Sequence, residues 1–213
     1  MKRVGKLHVL TDMVLQDRFS HLELAELAVT GGADAIQYRQ KQGLTREMIE
    51  TARGMRRICE EGGALFIVND RVDVALAADA HGVHLGQDDF PISLARDLLG
   101  PECVIGGSVA TILEARACVE AGADYVGFGP VYPTTSKDDA GPVSGLGALE
   151  ELVRSISLPV VAIGGISAQN AGAVIKAGAF GVAVISSVCC QEDPRGAARE
   201  IADCIRKAEG GRS

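Results

Sequence analysis

Short apolar runs, many of them β-branched, recur along the chain at Leu7–Asp12, Ala35–Arg39, Leu65–Asp70, Gly82–Leu85, Val104–Ser108, Tyr125–Gly129, Val160–Gly164 and Gly181–Ser186. They are nearly continuous in apolar character and do not alternate, as expected of strands covered on both faces. Helical patterns separate them. Ser20-His-Leu-Glu23 and Thr111-Ile-Leu-Glu114 read as capping boxes, in which hydroxyl and carboxylate satisfy each other's backbone donors. Pro194 after Asp193 reads as the first residue of a last helix, and Gly62–Gly63, Gly100 and Gly122 read as helix stops.

One connector repeats. Thr30-Gly-Gly-Ala-Asp34, Ala121-Gly-Ala-Asp124 and Ala177-Gly-Ala-Phe180 each place a helix end and a glycine turn before an apolar run. A βα unit repeated eight times predicts an α/β fold, a (β/α)8 TIM barrel forming a single domain over 1–213. An open sheet of about five strands would leave three runs without a place.

Composition narrows this reading. The chain has 213 residues, 47% of them hydrophobic, only 4% aromatic and none Trp. The core must therefore be Val, Ile, Leu and Ala, the residues that fill barrel interiors. A net charge of −7 argues against nucleic acid or an anionic membrane as partner. Any anionic ligand then needs a local device: a few cations, a metal or backbone N–H groups. No signal-peptide pattern and no apolar run of roughly 20 residues is seen. The six cysteines form no C-x-x-C pair and read as reduced thiols, so a cytoplasmic protein is expected. The vicinal pair Cys189–Cys190 has no evident role.

In barrels of this kind chemistry gathers at the C-terminal ends of the strands, and here polar residues collect there. The second run ends Gln37-Tyr-Arg39-Gln-Lys41, whose period of two aims Gln37, Arg39 and Lys41 to one side. The third ends Asn69-Asp70, and the fourth leads into Gln87-Asp88-Asp89. Neighbouring strands lie about 5 Å apart, so Asp70 and Asp89 could share one cation, as carboxylates do around Mg2+. Solvated loop aspartates are the competing reading. Ser108 ends the fifth run. The longest connection follows the sixth, Gly129-Pro-Val-Tyr-Pro-Thr134-Thr135-Ser136-Lys137 and on to Gly145, and long connections commonly serve as lids or binding loops. Gly164-Gly165 and Ile185-Ser186-Ser187 follow the seventh and eighth runs, where barrels often bind phosphate through backbone N–H groups. Two anion sites are thus expected at one mouth. His81 and His84, three apart, would point to opposite faces of a strand and do not make a metal pair.

These pieces, in this order, resemble the thiamin phosphate synthase family, which also includes thiazole tautomerases. The resemblance rests on Gln37-Tyr-Arg-Gln-Lys41, Asn69-Asp70, Gly82-Val-His-Leu-Gly-Gln-Asp-Asp89, Val131-Tyr-Pro-Thr-Thr-Ser-Lys137 and Ala162-Ile-Gly-Gly-Ile166, and runs from Leu10-Thr-Asp12 to the final helix. It implies that Gln37, Tyr38, Arg39, Gln40, Lys41, Asn69, Ser108 and Lys137 hold a hydroxymethylpyrimidine diphosphate. It further implies one Mg2+ per chain on Asp70 and Asp89, and a thiazole phosphate, plain or carboxylated, on Thr134, Thr135, Ser136, Gly165, Ile185 and Ser186. Arg39, Lys41, Ser108 and Lys137 would be the catalytic side chains, stabilising charge on leaving pyrophosphate in a dissociative substitution that joins the two small phosphorylated molecules. Whether copies associate as a homo-oligomer is left open.

Departures from the family pattern bear on the reaction. Ala110 stands where tautomerases carry an acid–base His, which counts against that reaction. Ser136 stands where Thr is also usual, and His81 where an Asp is frequent. A metal-free sugar-phosphate isomerase has no need of the Asp70 and Asp89 pair. A catalytically silent relative would be expected to lose Lys41, Asp70, Asp89 or Lys137 first.

Overall fold

The computed structural model describes residues 2–136 and 141–211. Its eight strands are β1 (Leu7–Thr11), β2 (Ala35–Tyr38), β3 (Leu65–Asn69), β4 (Gly82–Leu85), β5 (Val104–Val109), β6 (Tyr125–Phe128), β7 (Val160–Ile163) and β8 (Gly181–Val184). Each pairs in parallel with the next and β8 returns to β1, closing a (β/α)8 TIM barrel. Seven helices fill the gaps between strands: α1 (His21–Thr30), α2 (Thr45–Glu61), α3 (Val72–Ala77), α4 (Ile92–Leu99), α5 (Ile112–Glu120), α6 (Gly145–Ser155) and α7 (Ala171–Lys176). The short α8 (Ser186–Cys189) and the long α9 (Pro194–Gly210) follow β8. No described helix is long and apolar enough to cross a membrane.

The punctuation seen in the sequence is present in the fold. Ser20 and Thr111 both make reciprocal capping boxes, with Glu23 and Glu114. Pro194 opens α9 behind Asp193, whose carboxylate accepts from the Gly196 N–H. Most predicted strands overrun the observed ones by one or two residues at the C-terminal end. There the chain leaves the ladder and turns toward the mouth, Asp70 through a left-handed φ of 64° and Gly164 through one of 97°. Asp tolerates that region better than most residues.

The repeated connector has a structural purpose at the opposite end. The Asp34 carboxylate accepts from the N–H groups of Lys6 (2.9 Å) and Leu7 (3.0 Å), clasping the start of β1. Asp124 does the same for Ile105 at the start of β5 (2.8 Å), and pairs with Lys2 and Arg96. In the third copy, Phe180 replaces the acid and Lys6 lies 3.9 Å over its ring instead. All six cysteines are free. The buried Cys189 thiol donates to the Leu10 carbonyl, and burial pushes its pKa up to about 12. It serves as a small apolar residue packing α8 on β1.

Two hydrophobic layers result. Helices pack on the outer strand faces through Ile36, Phe66, Val83, Val126 and Val182, while Leu10, Ala35, Ile67, Val104, Tyr125 and Val161 fill the barrel itself. His8 lies among the latter, 1% exposed, with Nε2 unpartnered among the described residues. Burial lowers its pKa from 6.5 to about 4, so the folded chain holds it neutral. Between those values the unfolded chain binds a proton that the folded one refuses, so stability is full above pH 6.5 and declines as the pH falls through 4. The shift corresponds to a loss on the order of 3 kcal/mol. Urea unfolding at stepped pH is expected to give a distinctly shallower decline over this window for His8→Gln than for the parent chain. Equal slopes would rule out His8 as the source.

Candidate active site at the barrel mouth

The strands deliver their C-terminal ends around a cavity of about 510 Å³. On one wall stand Lys41, Asn69, Asp70 and Asp89, with Ser108 beside them. Lys41 Nζ lies 2.9 Å from the Asp70 carboxylate, half-exposed, a position where the pair contributes little to stability and stays free to rearrange. Asp89 Oδ2 accepts from the Gly86 N–H at 2.7 Å, which fixes the β4–α4 turn. Burial, and a neighbouring Asp70 carboxylate close enough to share a proton, hold Asp89 above the usual carboxylate range. Two adjacent acids under mutual repulsion, both hard oxygen donors, are a set that a divalent cation would relieve. The residues present therefore fit Mg2+.

The opposite wall is built by glycine. Gly164 and Gly165 have left-handed φ values of 97° and 62°. They let the chain after β7 lie directly under the β6–α6 connection, where a Cβ on Gly165 would fall 2.4 Å from the Pro133 carbonyl oxygen. The connection is laced to them: the Val131 N–H donates to Ile163 O and the Tyr132 N–H to Gly164 O, extending the ladder past the ends of β6 and β7. Thr134 and Ser136 are thereby carried over the cavity, where Ser136 Oγ meets Ser186 Oγ at 2.9 Å. Gly165, Ile185, Ser186 and Ser187 complete this side, with first-turn N–H groups of α8 that have no acceptor inside the helix.

Not every residue singled out in the sequence reaches the cavity. Gln37 and Arg39 do face the barrel interior, as the period of two requires, but Arg39 is ion-paired with the buried Asp12 and does not line the cavity. Asp12 also accepts from the Val14 N–H at 2.8 Å, so the pair is anchored to the β1–α1 loop. Tyr38 points the other way, into the helical layer, edge-on to His21. Gln40 bonds the same His21 at 2.6 Å. Thr135 is exposed and lies off the cavity. Lys137 falls outside the described residues. The sequence sets His84 aside as a metal ligand, because it and His81 point to opposite strand faces, and gives it no other role; inside the barrel its Nε2 is 2.9 Å from Ser108 Oγ. Gln87 also comes to Ser108, donating to its carbonyl oxygen at 2.6 Å.

A closed eight-stranded barrel with an acidic pair, a lysine and a glycine–serine cradle around one mouth is the architecture of a barrel enzyme. A family model described as thiamine monophosphate synthase matches residues 7–188. The thiamine-phosphate synthase of Methanocella arvoryzae is 51% identical over 195 residues, which span 92% of this chain and 92% of that protein. That of Salinibacter ruber is 48% identical over 193 residues, 91% of this chain and 85% of the relative. The solved thiamine phosphate pyrophosphorylase from Pyrococcus furiosus superimposes with a TM-score of 0.88 at 46% identity, covering 95% of this chain and 96% of that one. The chain belongs to the thiamine monophosphate synthase family and is an enzyme, a transferase.

The cradle makes a separable prediction. Gly165→Ala meets both the left-handed φ and backbone atoms, whereas Gly63→Ala meets a φ of 69° with nothing within 4 Å of the added carbon. The Gly63 variant is expected to lose about 1–2 kcal/mol, and the Gly165 variant at least about 2 kcal/mol more. Denaturant titrations of the two variants and the parent measure the difference; equal losses would mean that the cradle yields without strain.

Proposed function

We propose that this enzyme joins 4-amino-2-methyl-5-hydroxymethylpyrimidine diphosphate to a thiazole phosphate, carboxylated or plain, giving thiamin phosphate and pyrophosphate, with the carboxyl group leaving as CO2 where the thiazole carries one. The observation that carries this reading is one cavity with two dissimilar polar walls, Lys41 with Asp70 and Asp89 on one side and Gly165, Ser136 and Ser186 on the other. The volume of about 510 Å³ lies within the range of pockets that enclose small ligands.

The diphosphate belongs on the wall of Lys41, with Asn69 and Ser108 donating beside it, and a divalent cation on Asp70 and Asp89 would offset the negative charge there. Mg2+ held by Asp70 and Asp89 would neutralise charge on the departing pyrophosphate. The C–O bond to the pyrimidine methylene breaks, its electron pair leaves with pyrophosphate, and the electron-rich aminopyrimidine carries the positive charge. The thiazole nitrogen then supplies the pair for the new C–N bond. Its phosphate on the glycine–serine wall brings that nitrogen to the methylene, so proximity takes the place of a strong base. Arg39 acts from behind the diphosphate wall: in ion pair with Asp12 it is held in place, and exchange of that partner for a phosphate oxygen would bring its charge to the substrate. Lys137 and closure of the 130–145 connection over the cavity belong to the same reading. Ala110 lines the cavity and offers no acid or base, which favours condensation over tautomerisation. Six free thiols suit a reducing compartment such as the cytoplasm.

The direct test is to incubate purified protein with both substrates and Mg2+, with and without chelator. Equimolar thiamin phosphate and pyrophosphate, lost on chelation, are the expected result. No product from demonstrably folded protein would overturn the proposal. Asp70→Ala and Asp89→Ala are each expected to lower turnover by about 100-fold or more, judged from what weaker perturbations of metal ligands cost. Either variant turning over normally would remove the carboxylate pair from the mechanism.

A further inference from the structure

Behind the cavity wall, three side chains from three strands form a chain of hydrogen bonds. Tyr125 Oη on β6 lies 3.0 Å from His84 Nδ1 on β4, and His84 Nε2 lies 2.9 Å from Ser108 Oγ on β5. The two rings stand 5.4 Å apart. Two glycines clear the space. A Cβ on Gly106 would sit 2.2 Å from Tyr125 Cζ and 2.5 Å from His84 Nδ1, and one on Gly127 would sit 2.9 Å from His84 Cε1. Neither position admits any other residue without displacing a ring. The barrel interior is thus shaped around this chain of groups, of which only Ser108 reaches the cavity.

The direction of the hydrogen bonds follows from burial. Tyr125 is 1% exposed, and burial raises its phenol well above the ordinary value, so it carries its proton. A buried O–H must donate, and the acceptor in reach is His84 Nδ1. With Nδ1 accepting, the proton of a neutral imidazole resides on Nε2, which donates to Ser108 Oγ. The serine oxygen is then engaged as an acceptor, and its own proton is free to point into the cavity. In the reverse arrangement Nδ1–H would donate to the phenol oxygen and leave the buried phenol proton without a partner.

We propose that Tyr125 and His84 are positioning residues that set Ser108 as a hydrogen-bond donor, and so select a bare acceptor atom of the pyrimidine diphosphate, a ring nitrogen or a phosphoryl oxygen, at that point of the cavity. This deepens the proposed reaction and rests on it for the identity of the substrate; the direction of the hydrogen-bond chain does not. Neither ring lines the cavity. Both act through the serine, as outer partners of metal ligands act through the ligand they orient.

Two measurements on the full-length protein test this separately. In the parent chain labelled with 15N-histidine, long-range proton–nitrogen correlations report which ring nitrogen of each of the four histidines carries the proton, with His84 assigned by the signal lost in His84→Gln. A protonated Nε2 and bare Nδ1 are expected; a proton on Nδ1 would overturn the proposal whatever the enzyme makes. Kinetically, Tyr125→Phe is expected to lower kcat about 10-fold or more, by analogy with outer-partner losses, and to shift the His84 tautomer. In a Ser108→Ala background the same substitution is expected to cost nothing further, since the group it orients is gone. Independent, multiplying losses would mean a merely structural tyrosine and would overturn the proposal. If Tyr125→Phe does not fold, the tautomer in the parent chain decides alone. Absence of thiamin phosphate from the parent enzyme would refute the reaction while leaving the tautomer measurement intact.

Discussion

Closure of the sheet is the constraint from which the rest follows. Eight parallel strands satisfy one another's backbone groups only if β8 returns to β1, and that return encloses a fixed volume which side chains must fill without voids. The chain fills it unusually. With few aromatics available, it places Tyr125, His8 and His84 inside and sets glycines opposite them at 106 and 127. Polar groups in such a space must find partners, so the packing solution and the hydrogen-bond chain to Ser108 are one arrangement.

The same closure divides labour along the barrel axis. At the N-terminal end, aspartates clasp strand starts, and Lys2 and Arg96 pair with one of them, Asp124. At the other end the strands stop pairing, the chain turns through Asp70, Gly164 and Gly165, and donors and acceptors are left facing a cavity. Barrels of this class gather their chemistry at the C-terminal ends of the strands, and this division of labour is the physical reason.

Much of this was legible in the sequence. The glycine connectors and continuous apolar runs suffice for eight parallel strands, since few other folds use that grammar. Lys41, Asn69, Asp70, Asp89 and Ser108 were legible as cavity residues because strand ends have a known destination. What escaped was long-range. Nothing near Arg39 announces that Asp12, on the neighbouring strand, will neutralise it. The run Gln37 to Lys41 was taken whole from the resemblance, although the period of two already sends Tyr38 and Gln40 to the helical side. For His84 the sequence rules out a metal pair but assigns no role, because a core histidine shows its purpose only when the residues across the barrel are known.

The two aspartate clasps lie just before β2 and β6, four strands apart, and hold β1 and β5 in the same manner. In terms of symmetry they are related by half a turn about the barrel axis. Each half, β1 to β4 and β5 to β8, carries its own clasp near its beginning. The barrel can be described as two like crescents, each locking its first strand internally, and tied to one another by sheet pairing, by Lys2 and Arg96 on Asp124, and by His84 on Ser108 and Tyr125. A chain break between α4 and β5 would leave both clasps whole, with those side-chain ties and the sheet pairing left to hold the halves together.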